Sequence, residues 1–173
     1  HGLTLLVDVA ERMKNRPELR FVLIGDGADR EKLEEDIARR GLNNIVMLGL
    51  QPREAMPRWI ASIDVLLVML RDLPVFETVI PSKIFEFLAQ ERPVVLAAKG
   101  EIRRMMEEAN GALVIDPEVE DQMVSALETI ISDPESAKLR AESGRNWVDD
   151  GFIRDDLARR MAVFLEKVLE ERV

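Results

Sequence analysis

The sequence predicts an α/β fold, a parallel sheet with helices on both faces. Three observations carry this. Short β-rich runs alternate with helical periodicities along most of the chain. The run Asp64 to Met69 is apolar at successive positions, as a strand covered on both faces is. No tandem repeat or low-complexity linker interrupts the alternation.

The elements follow in order. Leu3 to Lys14 reads as a helix, with Leu3, Leu6, Val7, Ala10 and Met13 recurring at spacings of three and four. Leu19 to Ile24 is a strand ended by Gly25-Asp26-Gly27. Asp29 to Arg40 is a helix, and Gly41 suits the left-handed residue after its end. Asn44 to Leu48 is a strand closed by Gly49. Arg53 to Ser62 is a short helix with Pro57 early in it or breaking it. Asp64 to Met69 is the third strand. Ser82 to Gln90 and Glu101 to Glu108 are helices, alternating with strands at Pro93 to Ala98 and Ala112 to Ile115. Glu120 to Ile131, Pro134 to Val148 and Arg154 to Glu171 close the chain as helices. The alternation calls for a strand ahead of Leu3, expected upstream of His1, so the chain reads as one domain, residues 1–173, of a longer protein. The alternative is a complete small domain whose first residue is left from a tag.

Composition narrows the function. Apolar residues at 47% exclude a disordered chain, and 173 residues fit one domain or little more. The net charge of −9 disfavours a broad nucleic-acid surface while leaving room for a small basic pocket. Cysteine is absent, which rules out disulfides and thiolate chemistry. With one histidine and no carboxylate cluster, no metal and no cofactor are expected. No run approaches the roughly 18 apolar residues of a membrane span.

Open parallel sheets bind ligands beyond the carboxyl ends of their strands. Three loops there stand out. Gly25 and Gly27 would let a ligand approach the backbone, or simply make a tight turn. Gly49 and Leu50 could offer amides and an apolar side chain to a flat base, or again form a turn. Arg71 to Lys83 is long for such a connection. Pro81 fits a first helical position, and Ser82 and Lys83 would bring a hydroxyl and an ammonium to the helix start, a plausible anion site. Ser82, Lys83, Glu86 and Gln90 share one helical face among apolar residues. The competing reading is a surface Lys83–Glu86 ion pair.

Ile80-Pro81-Ser82-Lys83-Ile84-Phe85-Glu86-Phe87-Leu88-Ala89 followed by Arg92-Pro93-Val94-Val95 resembles the donor-site motif of retaining, family-four glycosyltransferases. Asn110-Gly111-Ala112 with Asp116-Pro117, Ser132-Asp133-Pro134 and Gly144-Arg145 extend the resemblance over nearly the whole chain. It implies the C-terminal, donor-binding half of a GT-B fold, a Rossmann-like domain holding a nucleotide sugar against an upstream acceptor domain. In relatives the glutamate matching Glu86 binds the ribose hydroxyls, and Ser82 and Lys83 match the helix start facing the diphosphate. The resemblance also assigns the donor site to Gly25, Gly27, Gly49, Leu50, Thr78 and Pro81.

Two departures stand out. Thr78 occupies the place of the family's second glutamate, as in the Pro-Ser-Lys subgroup of surface-polysaccharide transferases, and His1-Gly2 occupies the place of a phosphate-binding Lys-Gly. The resemblance implies a UDP-sugar donor, and a sugar or lipid-linked acceptor bound through the missing domain. It implies a cytoplasmic location, with any contact to the inner face of the membrane belonging to that domain. No protein nucleophile is assigned. The isolated chain is expected to fold, to bind UDP weakly and not to transfer sugar. A sugar-nucleotide epimerase of the same fold and a non-catalytic nucleotide-binding module are the alternatives.

Overall fold

The computed structural model describes residues 2–170. The role considered for His1 and the helix end at Glu171 lie outside the described residues. Five strands and eight helices follow in the expected order: α1 Leu3–Arg12, β1 Phe21–Leu23, α2 Arg30–Arg39, β2 Ile45–Met47, α3 Met56–Ser62, β3 Leu66–Met69, α4 Lys83–Leu88, β4 Val94–Ala97, α5 Gly100–Ala109, β5 Leu113–Ile115, α6 Glu120–Ser132, α7 Pro134–Gly151 and α8 Arg154–Glu170. Single 3-10 turns sit at Arg53–Ala55 and Pro74–Thr78, the second inside the long loop after β3.

The local signals act as the sequence predicts, with two adjustments. Gly41 takes φ +62 directly after α2, and its amide bonds the Ala38 carbonyl. Pro57 falls in the first turn of α3, where its missing N–H costs nothing. Pro81 does not become the first residue of α4. Ser82 is the N-cap and Pro81 precedes it, its carbonyl accepting from the Ile84 amide. The helix is also shorter than the expected Ser82 to Gln90, because the chain turns at Glu91 with φ +53.

All strand pairs are parallel. Phe21 pairs with Ile45 in β1–β2, Leu66 with Val94 in β3–β4, and Val95 with Leu113 in β4–β5. The strands form two separate groups, β1–β2 and β3–β4–β5, where the sequence led us to expect one sheet. Strand alternation sorts the apolar residues to two sides. Met69, Val95, Ala97 and Ile115 pack with α1 and α6, while Leu66, Val68, Leu70, Val94 and Leu96 pack with α4 and α5. Helix α7 runs between the two sides, with Ala137 in one cluster and Val148 in the other.

Helix α8 lies largely in solvent. Phe164, Leu165 and Leu169 of its apolar stripe are exposed, and Val168 is half-buried.

Candidate functional site

A cavity of about 680 Å³ runs along β1 and β3 and reaches the turn after β1. Gly25 and Gly27 reach it from the turn after β1, and Lys83 and Glu86 reach it from α4. These four residues, far apart in sequence, form the part of the expected site that the fold brings together.

Helix α4 is held in place from below and behind. Ile84 and Leu88 are fully buried, a burial that contributes roughly 1.5–3 kcal/mol each. Phe85 stacks on Trp147 of α7 with centroids 6.1 Å apart, and Phe152 packs against both rings at 5.0 and 4.1 Å. Arg145 donates to the Ala89 carbonyl at 2.8 Å, satisfying an orphan acceptor at the end of the helix. Gly144 lets α7 approach closely, since a Cβ there would lie 2.6 Å from a Leu88 methyl and 3.0 Å from the Gly111 carbonyl. With its apolar side fixed, α4 turns Lys83 and Glu86 toward the cavity.

The loop between β3 and α4 is anchored at three points. Lys99 bonds both Asp72 oxygens, at 2.9 and 2.7 Å, and the Asp72 contact raises the Lys99 pKa. The Asp72 amide donates to Glu118, whose carboxylate also lies 3.7 Å from Arg71. The Glu77 carbonyl rests against Gly100 at the start of α5, a contact closer than any Cβ would allow.

Lys83 is half-buried, and desolvation lowers its pKa from the ordinary lysine value. No ion pair engages it among the described residues, so the Lys83–Glu86 surface pair does not form. A half-buried, unpaired ammonium at a cavity wall leaves positive charge available to an anionic group. Glu86 is exposed on the same wall.

The remaining expected residues are placed differently. The Gly49 carbonyl accepts from the Gly25 amide at 2.9 Å, which joins the turns after β1 and β2, yet neither Gly49 nor Leu50 lines the cavity. Leu50 is 76% exposed beside it. Thr78 and Pro81 lie outside the lining, and the Thr78 hydroxyl turns back to the Val75 carbonyl at 3.4 Å. Ser82 is exposed and makes no cap bond, so its hydroxyl does not join Lys83 at the cavity. At the helix start the side chains of Ser82 and Lys83 diverge by about 100° per residue, and only one can face the wall.

Two lining residues escaped the sequence reading. Arg30, the first residue of α2, lines the cavity and sets its guanidinium against Gly49, with Nε 2.9 Å from Glu34. A cation three residues after a Gly-Asp-Gly turn is the signal that could have found it. Trp59 of α3 lines the other side, and nothing in its short helix marks it in advance. Among the described residues no group of three His, Asp or Glu side chains could hold a metal ion, and no helix is long and apolar enough to cross a membrane.

The α/β architecture, parallel strands flanked by helices, is of the Rossmann-like class. The chain belongs to the glycosyl transferases group 1 family, whose profile matches residues 1–133. It is 26% identical over 151 residues to the candidate colanic acid biosynthesis glycosyl transferase WcaI of Escherichia coli K12, covering 86% of this chain and 37% of that protein. It is also similar in structure to HepE of Anabaena, solved with UDP-glucose, at a TM-score of 0.81 and 21% identity, covering 96% of this chain and 45% of that one. The crystallised C-terminal domain of LpcC, a glycosyl transferase group 1 protein of Francisella tularensis, matches at a TM-score of 0.73 and 19% identity, over 88% of this chain and 80% of that one. The chain thus spans less than half the length of the full-size relatives it matches.

Proposed function

We propose that this chain is the donor-binding, C-terminal half of a retaining hexosyltransferase of the Pro-Ser-Lys subgroup that acts in polysaccharide or glycoconjugate assembly in the cytoplasm. The observation that carries the reading is the meeting of Lys83 and Glu86 from α4 with Gly25 and Gly27 from the β1 turn at one cavity. An ionised Glu86 can accept two hydrogen bonds from the vicinal hydroxyls of a ribose. Lys83 supplies positive charge for a diphosphate, and the two glycines leave the backbone open to close approach. Leu50, exposed beside the Gly25–Gly49 contact, offers an apolar edge to the base. The domain's part in transfer is to orient the donor and stabilise the departing diphosphate, with the acceptor held by another domain. HepE, solved with UDP-glucose, supports UDP as the nucleotide to test first.

Titration of the chain with UDP and with uridine, read by calorimetry or NMR shifts, tests this. Glu86→Gln is expected to weaken both ligands by about 1–3 kcal/mol, the range for losing charge-assisted hydrogen bonds. Lys83→Ala is expected to weaken UDP more than uridine, because only UDP carries phosphates. Wild-type affinity in both variants, or UDP shifts that spare residues 25–27 and 83–86, would refute the assignment.

A further inference from the structure

Arg30 joins the two turns that follow β1 and β2. Its amide donates to the Gly27 carbonyl at 3.1 Å, which closes the first turn onto the start of α2. Its guanidinium reaches across to the second turn. An ideal Cβ on Gly49 would lie 2.9 Å from Nη1, 3.6 Å from Nη2 and 3.7 Å from Cζ, so the planar group covers the face of Gly49 from which a side chain would project. Gly49 is buried with φ +69, and its carbonyl accepts from the Gly25 amide at 2.9 Å. Behind the guanidinium, Glu34 holds Nε at 2.9 Å from one turn further along α2. The Gly49 turn is thus gripped twice, by the Gly25 amide and by Arg30. Leu50 follows directly, and at 76% exposure it has little packing of its own to fix its position.

We propose that Arg30 is a positioning residue for the nucleobase. It acts through Gly49. The guanidinium sets how the two turns stand against each other, and that sets the gap between Leu50 and the Gly25–Gly27 backbone where a flat base would lie. The inference rests on the donor reading above, in which Leu50 borders the base. Two features favour positioning over direct pairing with phosphate. The Arg30 charge is already answered by Glu34, whereas Lys83 on α4 carries the unpaired charge at the cavity wall. The flat face of the guanidinium lies against backbone with no space for a Cβ, a contact that suits a rigid plane and not a flexible ammonium. A turn held in place before the ligand arrives binds it more tightly than one that must be ordered on binding.

Arg30→Ala and Arg30→Lys are titrated with UDP, uridine and inorganic pyrophosphate, and their ligand-free amide shifts are compared with those of the wild-type chain by NMR. Arg30→Ala is expected to weaken uridine and UDP by the same factor, about tenfold, and to leave pyrophosphate unchanged. Arg30→Lys keeps the charge without the plane and is expected to follow Arg30→Ala. Without ligand, the amides of Gly25, Gly49 and Leu50 are expected to shift in both variants while those of Lys83 and Glu86 stay in place. A double-mutant cycle reads the contact itself. Gly49→Ala is expected to lower the urea midpoint by more in the wild-type chain than in Arg30→Ala, where the collision is gone. Wild-type uridine affinity in Arg30→Ala, its recovery in Arg30→Lys, an equal loss of pyrophosphate, unmoved Gly49 and Leu50 amides, or an additive cycle would each overturn the proposal. If these occur while the wild-type chain binds UDP, the role of Arg30 alone falls. A wild-type chain that binds neither uridine nor UDP would overturn the donor reading and this proposal with it, whatever the cycle shows.

Discussion

Gly100→Ala tests how the loop after β3 is held. Gly100 has φ +73, and a Cβ placed there would lie 2.0 Å from the Glu77 carbonyl oxygen. A side chain at a left-handed residue costs about 1–2 kcal/mol. Forcing the loop backbone aside costs about 1–3 kcal/mol more, the range for overpacking. The sum is about 2–5 kcal/mol. Gly41→Ala is the matched control, because Gly41 has φ +62 and nothing within 4 Å of its ideal Cβ. It carries the strain without the collision, about 1–2 kcal/mol. At this chain length 1 kcal/mol moves Tm by about 2–4 °C, so thermal and urea unfolding resolve the difference. If Gly100→Ala is no more damaging than Gly41→Ala, the Glu77 carbonyl does not rest on α5 and the account of the anchored loop is wrong.

Four further outcomes follow from individual side chains. Lys83→Met is expected to stabilise the fold while weakening UDP, because it removes a desolvated charge; a variant less stable than wild type in urea unfolding would contradict this. Since burial lowers the folded pKa of Lys83, wild-type stability should rise with pH between that lowered value and the unfolded lysine value of about 10.4, and the rise should vanish in Lys83→Met. Asp36 is held below the usual aspartate range chiefly by hydrogen bonding to Arg40, which also binds Asp8 and Glu11 of α1. That contribution is present above the unfolded aspartate value of about 3.9 and is lost as pH falls through the folded one, so Arg40→Leu should flatten the acid side of a stability–pH curve. Gly144→Ala should cost about 1–3 kcal/mol in chemical unfolding by pressing α7 against Leu88 and Gly111.

The order of helices and strands was legible in the sequence because periodicity and turn residues are local. Apolar residues three and four apart in α1, an apolar run in β3 and a glycine after α2 each act on their own neighbours. The placement of Lys83 and Glu86 on one face of α4 was legible for the same reason, as both lie within one helical turn. The sequence could not say that these two would meet Gly25 and Gly27 while Ser82 and Thr78 turned elsewhere. That depends on the rotation of α4 about its axis, which the Phe85–Trp147–Phe152 stack and the Gly111–Gly144 approach fix from α7, some sixty residues away. Arg30 enters the site through the fold of the β1 and β2 turns against each other, a long-range contact with no local signature. Only the tertiary structure showed that the described strands fall into two groups, β1–β2 and β3–β4–β5. A strand's local pattern encodes that it will pair, while the identity of its partner on each edge is settled by how the whole chain closes.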